Sequence, residues 1–150
     1  MIPWFGQELP SSCVSACVRM VLAGFQVYLT ETEIRKLLGH TKLGLSLWTA
    51  TQQMELAGAI LELHDDWNLD DLRDTYRRGL VVIVGIERHL LGFPPASHAL
   101  VMVTFNRTDI EILDPLDGPG TRHYSASAFE QAWVEAGKEA LVIHTPPTWR

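Results

Sequence analysis

The chain has 150 residues, 47% hydrophobic and 20% charged, which suits one compact globular domain, residues 1–150, with a buried core. Its net charge is −6, and its 12 Lys and Arg are scattered, so the electrostatic footprint of a nucleic-acid binder is missing and nucleic acid is excluded as a partner. The longest apolar runs, such as residues 80–86, fall well short of the roughly 20 residues that cross a bilayer.

Residues 1–10 carry no basic start ahead of an apolar stretch that would mark a signal peptide, so a soluble, cytoplasmic protein is expected. Cys13 and Cys17 lie four positions apart on one expected helix, a poor placement for a disulfide, and both thiols are expected to be free.

Residues 1–8 read as extended, and Pro10 with Ser11 and Ser12 as a helix start. From Cys13 the apolar residues Val14, Cys17, Val18, Val21 and Leu22 recur at spacings of three and four, the stripe of a buried helix that ends at Gly24. A second helix is predicted over 32–38, opened by Thr30 with Glu33 in capping-box spacing and stopped by Gly39. Ser46 caps a third over 47–57; residues 59–64 alternate like a strand; Asn68 begins a fourth helix that ends at Gly79.

The second half is richer in Val, Ile and Leu. Strands are predicted over 80–86, 99–105, 110–113 and 140–144, with a hairpin turn at 106–109 and one more helix over 126–136. Asp117-Gly118-Pro119-Gly120 reads as a turn, with no Lys-Ser/Thr pair after it to make a phosphate loop. Helices followed by strands imply an α+β domain, its N-terminal helical half packed against one side of an antiparallel sheet.

Four side chains carry chemistry. Cys13 stands in the first turn of its helix, where unpaired N–H groups and the helix dipole favour a thiolate. An arbitrary Cys on such a stripe is most often a small core side chain, and Cys17, one turn on, fits that description. Gln7, six residues before Cys13, can fold back and aim its amide at an oxyanion. His98 opens a strand after the loop 92–97 and is placed like a general base. Asp114 follows another strand in an Asp-Pro pair.

If those two strands form the 106–109 hairpin, His98 lies nine or ten residues before the turn centre and Asp114 six or seven after it. Their proximity then requires a bulge or loop to absorb the difference. A zinc site on Cys13, Cys17 and a histidine lacks further ligands at suitable spacing. The acids Asp65, Asp66, Asp70, Asp71 and Asp74 fit a solvated helix start better than a basic-substrate site. Trp48, Trp67 and Trp149 either line a groove or pack.

Gln7, then Ser12-Cys13-Val14-Ser15-Ala16-Cys17, then Arg19 to Leu22, His98 before a Val-rich strand, Asp114-Pro115 with Gly118, and Phe129 with Trp133 on a closing helix together resemble the double-glycine leader peptidases, the bacteriocin-processing family of papain-like cysteine peptidases. The resemblance runs over almost the whole chain. It implies a papain-like fold and a thiol peptidase acting on a peptide, leader-peptide or protein substrate, with no cofactor and no metal. By position it implies Cys13 as nucleophile, His98 as base, Asp114 as its orienting acid and Gln7 as oxyanion donor.

Family members usually have Asp before the nucleophile and Gly-Pro after it, whereas this chain has Ser12 before Cys13 and Val14-Ser15 after it. The β-branched Val14 therefore implies a narrower cleft or altered acceptance beside the nucleophile. Two rivals share the site: a relative that binds peptide without cutting it, and an acyltransferase or amidase using the same thiol.

Overall fold

The computed structural model describes residues 1–149. Helix α1 (Cys13–Gly24) buries Val14, Cys17, Val18, Val21 and Leu22, the stripe read from the sequence. It starts where expected, with Ser12 in the N-cap position, although the Ser12 side chain makes no cap hydrogen bond. The Ser12 hydroxyl is engaged elsewhere, donating to Leu9 O at 3.0 Å and to Glu31 Oε1 at 3.2 Å.

Helix α2 (Glu31–Leu38) opens on the reciprocal bonds expected of Thr30 and Glu33, and Gly39 ends it in the left-handed conformation at φ 78°. Ser46 Oγ accepts from Thr49 N at 3.0 Å to start α3 (Leu47–Leu56). Asn68 and Asp71 exchange the same pair of bonds ahead of α4 (Leu69–Arg77), and α5 (Ala126–Glu135) is capped by Ser125.

The strands are β1 (Ile60–His64), β2 (Val82–Glu87), β3 (Ser97–Asn106), β4 (Asp109–Asp114), β5 (Asp117–Ser125) and β6 (Ala140–Thr145). They form one sheet in the order β1-β6-β2-β3-β4-β5 with every neighbouring pair antiparallel, so the α+β expectation is met. Helices cover both faces, not one. Val18, Val21, Ile34 and Met54 pack with Ile83, Val101 and Leu113 on one side, while Leu72, Phe129 and Trp133 pack with Val84, Leu100 and Ile112 on the other. The near-continuous apolar runs of β2 and β3 follow from this double burial.

The expected turn at 117–120 is instead the start of β5, an edge strand. Its sequence DGPGTRHYS offers little apolar alternation, and Pro119 is tolerated because an outer strand has no partner on its far side. A short 3₁₀ helix (Arg88–Leu91) was also not foreseen. Of the three tryptophans, Trp48 is exposed, Trp67 stacks on His64 with ring centroids 4.1 Å apart, and Trp149 packs against the core.

Candidate active site

The site forms where α1 begins against the sheet. Cys13 is the first residue of α1 and is partly exposed, whereas Cys17 one turn later is fully buried. Burial pushes the Cys13 thiol up. A hydrogen bond from the His98 ring, its positive charge, and the backbone N–H groups of Ala99 and Val14 outweigh that, and the thiol lies below its ordinary range. Burial, then the Cys13 and Asp114 charges, drive Cys17 well above it.

His98 is buried near the start of β3, and Asp114, also buried, ends β4. The register pairs Val101 with Leu113, and an irregularity between Met102 and Thr104 supplies one residue of the difference in the count, leaving an offset of two. Asp114 stands one step beyond that pair and His98 three steps beyond it, so the ring reaches across diagonally: Nε2 lies 2.7 Å from Asp114 Oδ1.

Burial alone would lower the His98 pKa, but Asp114 and then the Cys13 thiolate raise it on balance. Burial likewise pushes the Asp114 carboxyl up, and the imidazole, the Leu116 N–H at 2.8 Å and Arg88 together hold it below its usual range. These opposite displacements fit a thiolate–imidazolium pair steadied by a carboxylate, which is the state from which acyl transfer to sulfur begins.

Gln7 is brought to the same region by its backbone, which donates to Pro115 O at 2.9 Å. Its side chain is engaged locally. Nε2 donates to Leu9 O at 2.8 Å and Pro10 O at 3.2 Å, while Oε1 is buried without a partner. Of the four expected residues the structure thus joins His98 to Asp114 directly, brings Cys13 into the same cleft as His98, and sets the Gln7 amide on the loop leading into Cys13.

Three further residues support the site without having been singled out from the sequence. Trp4 donates from Nε1 to Asp114 O at 2.7 Å, and its indole lies where a Cβ on Gly118 would come within 2.2 Å. Glu31 is fully buried; its Oε1 accepts from Glu8 N at 3.0 Å and from Ser12 Oγ, and its Oε2 from Arg35 Nε at 3.0 Å. That carboxylate ties α2 to the segment between Gln7 and Cys13. Arg88 lies under the Phe93 ring and 3.9 Å from Asp114 Oδ2. The contacts that bring them to the site, Trp4 and Arg88 to Asp114 and Glu31 to Glu8 and Ser12, join residues far apart in the sequence.

A cleft of about 250 Å³ opens on Cys13 and His98, walled by Val14, Leu45, Leu47 and Ile86, with Glu139 also in its lining. Val14 lines the cleft next to Cys13. A larger cavity of about 450 Å³, bounded by Ile2, Phe25 and Val103, contains no ionisable side chain. Among the described residues no three His, Cys, Asp or Glu side chains are grouped to hold a metal ion, and no helix is long and apolar enough to cross a membrane.

A helical half set against an antiparallel sheet, with a thiol at the helix start and an imidazole and carboxylate at the strand ends, defines the papain-like peptidase class, and solved structures share this fold. A C39-like peptidase from Bacillus anthracis superposes with a TM-score of 0.80 at 13% identity, over 98% of this chain and 96% of that one. The peptidase domain of Streptococcus ComA, a bifunctional ABC transporter of a quorum-sensing pathway, gives 0.76 at 17% identity over 99% and 100%. A double-glycine motif protease from an AMS/PCAT transporter, solved with its leader peptide, gives 0.72 at 17% over 99% and 93%. No match is found among curated protein sequences. The chain belongs to the Peptidase_C39 like family, whose pattern matches residues 1–141.

Proposed function

We propose that this chain is a thiol-dependent peptidase that cleaves a peptide or leader-peptide substrate through Cys13, His98 and Asp114, with Gln7 as oxyanion donor. The observation that carries the reading is the His98 ring, which lines the same cleft as Cys13 and lies 2.7 Å from the Asp114 carboxylate. In this mechanism the thiolate sulfur attacks the peptide carbonyl. His98 gives its proton to the departing amine, then takes one from water as the thioester is hydrolysed, and Asp114 keeps the ring in the working tautomer throughout.

The oxyanion is received by backbone N–H groups at the start of α1 and by the Gln7 amide, once one of its hydrogens leaves a loop carbonyl. The exposed apolar Leu43 and Trp48, on either side of the cleft-lining stretch 45–47, suit contact with an extended peptide. Residues 1–150 act as one papain-like domain, and a reducing cytoplasm would keep both thiols free.

A second reading, peptide binding without cleavage, is favoured by one observation: both loop carbonyls that Gln7 Nε2 contacts compete for the amide hydrogens an oxyanion would need. Incubation of the chain with defined peptides in H₂¹⁸O, followed by mass spectrometry, separates the readings. The expected result is shortened peptides carrying ¹⁸O at the new carboxyl, lost in Cys13→Ala. Binding with no cut product supports the second reading, and transfer to an added amine would make the chain an acyltransferase.

A further inference from the structure

The cleft contains one ionisable side chain that the proposed mechanism does not use. Glu139 stands directly before β6 and shares the lining with Cys13 and His98. Its main chain is fixed, because Glu139 O accepts from Trp133 Nε1 at 2.9 Å and from Gly85 N at 3.2 Å. The backbone from which the carboxylate reaches the cleft is therefore held in place, and Oε1 lies beside Gly85.

Nothing among the described residues neutralises it there. The influences on its carboxyl are burial first and the neighbouring Asp65 carboxylate second, and both disfavour the charge. Lys138, adjacent in sequence, is directed elsewhere, with Nζ 5.9 Å from the Trp133 ring centroid. Apart from Cys13, His98 and two serines, the remaining lining is aliphatic or glycine.

Gly85 leaves the carboxylate open. A Cβ there would lie 3.6 Å from Glu139 Oε1 and 3.8 Å from Glu139 Cβ, an ordinary contact distance, and the backbone at this position does not take a positive φ. The missing methyl is thus free space against the acid and is not demanded by conformation. A half-desolvated carboxylate with a second acid behind it gains most from a cation that completes its solvation, and repels an anion.

We propose that Glu139 is a specificity residue that selects peptides placing a cationic group, a Lys or Arg side chain or a free α-amino group, in the cleft beside Cys13. This deepens the peptidase reading and rests on the same cleft, although binding selectivity does not require turnover.

The test uses acetylated, amidated octapeptides of Ala and Leu carrying one Lys at each position in turn. Matched peptides carry norleucine or Glu instead, and one unacetylated peptide without Lys probes the α-amino source. Binding to the Cys13→Ala chain is read by fluorescence anisotropy, and cleavage by the unmodified chain is read by mass spectrometry.

At one position Lys should bind about tenfold or more tighter than norleucine, and Glu should bind weakest. If the cation is an α-amino group, the unacetylated peptide should show the gain instead. In the Cys13→Ala background, Glu139→Gln should bring the Lys-to-norleucine ratio to within about twofold. Gly85→Ala, which covers the carboxylate without removing it, should lower the same ratio, and Glu139→Lys should reverse the preference toward Glu.

A cation preference that survives Glu139→Gln, or none at any position, overturns the proposal. Cleavage without cation preference removes this proposal and leaves the peptidase reading standing. Cation-selective binding that depends on Glu139, with no cleavage by the unmodified chain, removes the peptidase reading and leaves this one.

Discussion

His98 and Asp114 are held 2.7 Å apart although they are offset by two positions along their paired strands. Asp114→Asn keeps the shape and the Leu116 bond but loses the charge that steadies the imidazolium. Turnover of a cleaved peptide should fall about 10³- to 10⁴-fold with the fold intact by circular dichroism. An Asp114→Asn protein with near-normal turnover would reduce Asp114 to a turn residue.

The pair also shapes stability against pH. Asp114 titrates below its ordinary value in the folded chain, so its contribution is present above the unfolded carboxyl pKa and disappears as pH falls through the lowered one. His98 titrates above its ordinary value, so its contribution is complete below the unfolded imidazole pKa and disappears as pH rises through the raised one. The melting temperature of the native chain should therefore be highest between these limits, and His98→Ala should flatten both limbs. Unchanged limbs in thermal scans across pH would contradict the coupling.

The two thiols should differ sharply. Iodoacetamide with peptide mapping should label Cys13 at pH values where an ordinary thiol is still protonated, and should leave Cys17 untouched until the chain unfolds. In His98→Ala the Cys13 profile should move to higher pH. Preferential labelling of Cys17 would falsify the assignment of the reactive thiol.

Gln7 distinguishes catalysis from binding. Gln7→Ala removes a donor that helps only as charge develops on the carbonyl oxygen, and should lower kcat about 10²- to 10³-fold with little change in peptide affinity measured on Cys13→Ala. Equal losses in affinity and turnover, or none, would place the Gln7 amide in loop support only, on the carbonyls of Leu9 and Pro10.

Arg35→Ala leaves the fully buried Glu31 carboxylate without its cation. The cost should be about 3 kcal/mol, at the low end for breaking a buried pair because Arg35 is itself partly solvated. That corresponds to a fall of roughly 6–12 °C in melting temperature for a chain of this size. A fall of under about 2 °C would mean that water replaces Arg35 at no cost.

Gly118→Ala places a methyl 2.2 Å from the Trp4 ring, so the indole must leave and its bond to Asp114 O is lost. Destabilisation of about 1–3 kcal/mol is expected, in the range for overpacked sites. In a Trp4→Ala background the same substitution should cost much less, and a double-mutant cycle in urea measures the difference. Additive costs would show that the crowding is relieved by another route.

Much of the fold was legible because local signals agreed with the final packing. Thr30 with Glu33, Ser46, Asn68, and the Val14-to-Leu22 stripe each specify an element through neighbours a few residues away. The grouping of Cys13, His98 and Asp114 in one region was legible for a different reason: few residue types can perform the proposed chemistry, and their order was distinctive. Strand β5 was missed because an edge strand with one solvated face needs little apolar alternation. Trp4 was missed because its partner Asp114 is 110 residues away, and Glu31 because its (i,i+4) pairing with Arg35 gives no hint of its contacts to Glu8 and Ser12. The engaged state of the Gln7 amide depends on the path of the loop at Leu9 and Pro10, which its spacing to Cys13 does not fix.

The β3–β4 hairpin has two ends with very different tolerance for changes in length. At one end Asn106 pairs with Asp109 around Arg107 and Thr108, and residues added there would enlarge the turn without altering any pair nearer the cleft. At the other, every residue between the Met102–Thr104 irregularity and His98 is counted: deleting one would move the imidazole a full strand step and turn its side chain to the opposite face of the sheet. The hairpin can accordingly be lengthened at its tip, while the count of residues from the irregularity to the imidazole is fixed by the contact with Asp114.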